Sequence, residues 1–204
     1  MIGISLGWNC CSASTLVEQG IRKTKAEGYK TCVFDEMVSN YFGVIKCIED
    51  DFKFLCDLKY LSVKKIDDGH LEYSTIPYIG DNIIYNSYYN FGFNHESPGH
   101  ANLYITQNWP GGINHFVDNN FKNFIERYQI RILNFKNYLN SREHIIFWLN
   151  GSNGVDLNIL KNVLNKKYPG LSYEIKTSLD DKNKLYKHFK LIGIKDEEII
   201  HLIK

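Results

Sequence analysis

The chain has 204 residues, 44% of them apolar and 23% charged, which describes an ordinary globular chain long enough to bury a sizeable core. Its 24 Lys and Arg against 23 Asp and Glu leave a net charge of +1, so no global field favours nucleic acid, an acidic membrane or a polyanionic substrate. No window reaches the apolar length of a bilayer span and no charged segment leads into an apolar signal core, so neither a nucleic-acid nor a membrane partner is expected and a cytoplasmic location is.

The apolar run Ile2 to Leu6 reads as a strand, Gly7 permits a sharp turn, and a helix follows from Ser12 through about Glu18. Cys10 and Cys11 fall at that junction. The unpaired N–H groups and partial positive charge of a first helical turn favour a thiolate, which makes this pair the place to expect a reactive thiol. Asn9 and Cys10 are then presented at the strand's C-terminal edge. A basic turn, Arg22-Lys23-Lys25, leads to a second strand over Lys30 to Phe34. Ser39 or Asn40 caps a helix from about Tyr41 to Leu55. Cys32, Cys47 and Cys56 fall in or just beyond these apolar runs and read as small buried hydrophobes. An odd total of five cysteines with no C-x-x-C spacing suits neither a disulfide framework nor a zinc site, so free thiols in a reducing compartment are expected.

From Leu58 to Phe93 the texture is β-rich, with hairpins expected there. Asn94 to Asn114, with Ser97-Pro98-Gly99 and Pro110-Gly111-Gly112, reads as a long irregular loop of the functional kind. Asp118 or Asn119 opens the longest helix, to about Asn140, with the stripe Phe121, Phe124, Ile125, Tyr128, Ile132, Phe135 and Leu139 facing the core. Arg127 and Arg131 fall one turn apart on that helix and read as a solvated face, with anion clamping the alternative. A strand over His144 to Leu149, a helix over Asp156 to Lys167, a strand over Leu171 to Thr177 and one or two helices from Asp180 complete the chain. This order predicts an α/β fold over a single globular domain, 1–204, with a mostly parallel sheet, helices on both faces and a β-rich mid-chain insertion.

A thiol nucleophile needs a base, and the base an orienting group. Among the seven histidines, His95 follows the β-rich run directly, so a strand would fix its position. Asn150 ends the strand Ile145 to Leu149, where its amide could orient an imidazole, although any strand end favours Asn. Asp35-Glu36 reads as an exposed turn, or as an acid pair in the crevice at the strand ends.

The runs Ser5-Leu6-Gly7-Trp8-Asn9-Cys10, Phe34-Asp35 and Phe93-Asn94-His95, with the helices that carry Tyr41 to Phe52 and Arg127 and Arg131, resemble a family described as papain-like cysteine peptidases, found in large DNA viruses and some bacteria. The likeness covers about the first three-quarters of the chain. It implies a papain-like cysteine peptidase or related thiol hydrolase acting on a peptide or other acyl substrate, with a papain-like α+β fold as the alternative architecture, and a host-cytoplasm or virion location if the chain is viral. It makes Cys10 the nucleophile and His95 the base, with Cys11 a bystander. Papain-like enzymes carry an oxyanion-donating glutamine six residues before the nucleophile; Ile4 stands there, so Asn9 or backbone N–H groups near Cys10 would take that role, and Asn150 or Asp35 would orient the histidine.

No cofactor and no metal are expected. The two histidines of His95-Glu96-Ser97-Pro98-Gly99-His100 are five apart across a Pro-Gly and cannot share a helical face, which leaves a site with His115 the weaker reading. Gly3-x-x-x-Gly7 lacks a phosphate-loop lysine. The competing functional classes are a non-catalytic binding or virion-associated protein, with Trp8, Tyr104 and Trp109 as a platform, and a transferase with a donor site at the strand ends.

Overall fold

The computed structural model of the chain describes residues 1–7, 9–65, 82–98, 109–150, 156–178 and 197. Strand β1 (Ile2–Ser5) leads into Gly7, whose φ of +94° lies in the left-handed region, and helix α1 (Cys11–Glu18) follows. α2 (Tyr41–Glu49) begins at Asn40. The Asn40 Oδ1 accepts the Gly43 N–H at 2.7 Å, and its Nδ2 donates to the carbonyls of Tyr89 at 2.9 Å and Asn90 at 3.1 Å. One buried amide thus caps the helix and ties it to a distant turn. That approach needs Gly43, because a Cβ there would stand 2.3 Å from the Tyr89 carbonyl oxygen.

β2 (Leu61–Lys65), β3 (Asn82–Asn86) and β4 (Phe91–Gly92) form an antiparallel sheet in that order, where the sequence predicts its β-rich insertion. α3 (Asp118–Leu139) opens with left-handed Asn119, Asn120 and Phe121 and then buries Phe124, Tyr128, Arg131, Phe135 and Leu139. β5 (Ile145–Leu149) pairs in parallel with β1 on one side. After α4 (Leu157–Lys167), β6 (Tyr173–Thr177) pairs in parallel with β5 on the other, giving the order β1-β5-β6. All five residues of β5 are buried, as a central strand covered on both faces requires. α1 packs on β1 and β5, and α2 on α4. A continuous apolar cluster from Ile4 to Leu164 joins the two sheets, with Phe34 edge-on to Phe135 at 5.7 Å and to Phe91 at 6.1 Å.

The fold is therefore mixed α/β, and its described strands divide equally between a parallel and an antiparallel sheet rather than forming a mostly parallel one. The strand expected over Lys30 to Phe34 is not formed. Its apolar residues Cys32, Val33 and Phe34 are buried in a loop, because the backbone groups of the run find partners other than a neighbouring strand. Lys30 N–H donates to the Tyr138 hydroxyl at 2.8 Å, the Thr31 carbonyl accepts from Asn134 Nδ2 at 3.0 Å, and Cys32 N–H donates to Asp35 Oδ2 at 2.7 Å. The second helix stops at Glu49 rather than Leu55, since Asp51 and Phe52 take left-handed φ values of 54° and 65°. The helices expected from Asp180 lie almost wholly outside the described residues. Among the described residues no helix is long and apolar enough to cross a membrane.

Candidate active site

The turn between β1 and α1 is built from serine hydroxyls. Gly7 N–H donates to Ser5 Oγ at 3.1 Å, Ser12 Oγ donates to the Gly7 carbonyl, and Ser39 Oγ donates to the Leu6 carbonyl at 3.5 Å. All three serines are fully buried, so the turn that delivers Cys10 is satisfied from inside the protein. The parallel sheet closes beneath it: Leu6 N–H donates to the Trp148 carbonyl at 2.9 Å and Asn150 N–H to the Gly7 carbonyl at 3.3 Å. Cys10 thus emerges at the C-terminal edge of the parallel strands, where open α/β sheets place ligands.

Cys10 is the N-terminal boundary residue of α1, and its carbonyl accepts from Ala13 and Ser14 N–H at 3.1 and 3.2 Å. Asn9 Oδ1 accepts the Cys11 N–H at 2.9 Å, which fixes the amide and leaves its Nδ2 as the group suited to an oxyanion. Cys10 is half-buried and Cys11 exposed, and none of the five cysteines forms a disulfide. The surroundings of Cys10 favour the thiol over the thiolate. A side-chain hydrogen bond with Cys11, then burial, then the charges of Cys11 and Glu36 push the Cys10 thiol up from its ordinary value.

His95 sits in a 3₁₀ turn, Asn94–Glu96, immediately after β4. The turn is clamped to β3 by Ser97, whose Oγ accepts the Ile84 N–H at 2.8 Å and donates to the Phe93 carbonyl at 2.6 Å, while Phe93 N–H donates to the Ile84 carbonyl at 2.9 Å. The half-buried imidazole is held below its ordinary value by burial, which outweighs the opposing charges of Glu96 and Glu36. Both shifts disfavour the charged forms of Cys10 and His95. Glu36 lies within electrostatic reach of both.

Beneath His95 lies a buried ionic cluster. The Glu96 side chain is 0% and that of Arg131 4% exposed, and Arg131 Nη1 stands 3.0 Å from Glu96 Oε1 while its Nη2 pairs with Glu36 Oε2. Arg127 makes the same bridge, with Nε 2.9 Å from Glu96 Oε1 and Nη2 3.5 Å from Glu36 Oε2. The Tyr128 hydroxyl donates to Glu96 Oε2 at 3.1 Å, and Lys25 Nζ reaches Glu36 Oε1 at 2.5 Å. Burial alone would raise the Glu36 carboxyl, but Arg131, Lys25 and His95 bring it down to about 2. Arg131 is thus part of the core rather than of a solvated face. It occupies the position three residues after Tyr128 and four before Phe135, so the period of the apolar stripe already carried the signal.

The orienting candidates are engaged elsewhere. Asp35 accepts from Arg22 Nη1 at 2.7 Å, the Tyr29 hydroxyl at 3.0 Å and Cys32 N–H at 2.7 Å, so both oxygens serve the buried loop rather than His95. Asn150 Oδ1, the atom that would accept from an imidazole, takes Trp148 Nε1–H at 2.7 Å and the Ser178 hydroxyl at 2.7 Å. His115 lies against Asn123, whose Nδ2 is 3.3 Å from His115 Nδ1, and Trp109 stacks on the His115 ring at 6.0 Å. Trp8, His100 and Tyr104 lie outside the described residues. Among the described residues no three or more His, Cys, Asp or Glu gather as a metal site would need.

The charge of Glu36 acts on both Cys10 and His95, while Asp35 and Asn150 are drawn into other duties. Compared with known proteins, the chain matches no family model, no curated protein and no solved structure.

Proposed function

We propose that the chain is a thiol hydrolase of the papain-like cysteine peptidase kind, with Cys10 as nucleophile and His95 as base. The carrying observation is that a thiol at the mouth of α1 and an imidazole in the turn clamped behind β4 both feel the charge of one carboxylate, Glu36. The directions of their shifts favour a general-base route over a resting thiolate–imidazolium pair. The Cys10 proton passes to His95 as sulfur bonds to the acyl carbon, Asn9 Nδ2 donates to the developing oxyanion, and the imidazolium returns the proton to the leaving amine or alkoxide. Water, deprotonated by His95, then releases the acyl group and restores the thiol. The substrate is a peptide or another acyl compound. Five cysteines outside any disulfide suit a reducing compartment and support the cytoplasmic assignment. The likeness to papain-like enzymes lies in the residues of the site.

Turnover of an activated ester or a fluorogenic peptide tests this reading. Cys10→Ala and His95→Gln abolish it while Cys11→Ala retains it; equal loss in Cys10→Ala and Cys11→Ala, or none, contradicts it. A binding role without chemistry is the second reading, favoured by the raised Cys10 thiol. It predicts no turnover in any variant and saturable binding that Cys10→Ala leaves intact.

A further inference from the structure

Of the basic turn Arg22-Lys23-Lys25, Lys25 pairs with Glu36, while Arg22 and Lys23 line a cleft of about 710 Å³. The cleft lies where β1 begins, at the end of the parallel sheet opposite to Cys10. We propose that it is a binding site for a small organic anion with a flat apolar body, its acid group held by Arg22 and Lys23 and its body by the tyrosines and aliphatic side chains beside them. The inference is independent of the hydrolase reading.

The walls are fixed by the fold. Beyond α1 the chain reverses at Gly20, with φ +67°, and the Ile21 and Arg22 N–H groups both donate to the Leu16 carbonyl at 3.0 Å. Gly3 of β1 lets the arginine stem lie directly on the strand, since a Cβ there would stand 3.2 Å from Arg22 Cβ. Tyr29 stacks on Tyr138 of α3 with centroids 5.4 Å apart and planes 11° from parallel, and Lys30 N–H donates to the Tyr138 hydroxyl at 2.8 Å. Ile2, Val17 and Ile21 supply the aliphatic lining. A preformed cleft of this size falls within the range of about 300–1,000 Å³ in which small-molecule sites occur.

Arg22 gives the cleft its chemistry. Its side chain is 9% exposed, its Nη1 donates to Asp35 Oδ1 at 2.7 Å, and its guanidinium carbon lies 4.3 Å from the Tyr29 ring centroid. The buried Nε–H has no hydrogen-bond partner among the described residues. A donor buried without an acceptor is costly and uncommon, and an anionic oxygen settling on this edge supplies one. The other charges of the lining agree. Glu143 pairs with the Met1 ammonium, and Glu27 Oε2 accepts the Thr24 N–H at 2.8 Å and its hydroxyl at 2.7 Å, whereas Lys23 stands exposed beside them. The guanidinium, Tyr29 and Tyr138 form one contiguous stack of planar groups, which favours a flat ligand body over a branched one.

The test titrates the full chain with indole-3-acetate and follows the Arg22 Nε–H and the Tyr29 and Tyr138 ring signals by NMR. The expected result is saturable binding that moves these signals and leaves those of Cys10 and its neighbours in place. The neutral indole-3-acetamide and the ring-free anion acetate each bind at least about tenfold more weakly. Lys23→Glu, at an exposed position, weakens indole-3-acetate about fivefold, and Val17→Trp, which fills the cleft, abolishes its binding. Failure to saturate, equal binding by the amide or by acetate, indifference to Lys23→Glu, or shifts centred away from the cleft overturns the assignment.

Discussion

Gly7 lies against Ser39 so closely that a Cβ built on Gly7 would stand 1.8 Å from the Ser39 hydroxyl oxygen. The contact joins the strand-to-helix turn that delivers Cys10 to the residue before the α2 cap, and Gly7 also holds a φ of +94° that a side chain resists. Gly7→Ala therefore carries both a clash and a strained backbone, and should destabilise by more than about 2 kcal/mol in urea unfolding. A loss below about 0.5 kcal/mol would mean that the turn relaxes freely and does not fix Cys10.

Asn40→Ala tests the tie between α2 and the antiparallel sheet. The side chain caps Gly43 N–H and donates to two carbonyls while 2% exposed, so its removal strips a helix cap and leaves the Tyr89 and Asn90 carbonyls short of a donor. The expected loss is about 2–4 kcal/mol by chemical denaturation. A loss within the range of a surface substitution would contradict the role assigned to this amide.

How far the sequence carries this site depends on whether the deciding signal is local. The Cys10 junction, the α2 cap and the helix of α3 follow from turn residues, cap chemistry and a 3.6-residue period, all readable over a few residues. The choice between Asp35 and Glu36 is different. They are adjacent, and which one turns inward to the loop is set by Cys32 N–H, Tyr29 and Arg22, while the other is set by an arginine on α3, ninety-five residues away. The apolar run Cys32-Val33-Phe34 reads as a strand for the same reason: burial is written in its composition, but the partners of its backbone are distant side chains. Arg131 is the exception, since a charged residue on the apolar stripe already calls for buried acids to meet it.

Cys11 governs the resting state of Cys10. Their hydrogen bond is the first cause holding the Cys10 thiol up, so Cys11→Ala should bring it down and raise the thiolate fraction at neutral pH. Alkylation of Cys10 by iodoacetamide at pH 7.5, resolved by peptide mass spectrometry, should quicken on the order of tenfold in Cys11→Ala. An unchanged or slower rate would contradict the pairing of the two thiols.

Acid stability should report Glu36. Its carboxyl is depressed in the folded chain to about 2 from 4.5, so the ionised form is favoured by folding. The stabilisation is complete above about pH 4.5 and is lost as pH falls toward 2, on the order of 3 kcal/mol at its upper bound. Asp35 opposes this, because burial raises its carboxyl and favours its protonated form in the folded chain. The wild-type urea midpoint should fall between pH 5 and pH 3 by more than that of Glu36→Gln; equal falls would contradict the depressed carboxyl.

The pairing of Cys10 with His95 is tested most directly by trapping the acyl intermediate. Wild-type chain mixed with p-nitrophenyl acetate at pH 7 and quenched in acid should carry the acetyl group on Cys10 in preference to Cys11, and His95→Gln should lower the rate on the order of a hundredfold with the fold intact. Acetylation that spreads over the exposed thiols, or that proceeds at Cys10 equally well without His95, would contradict the account.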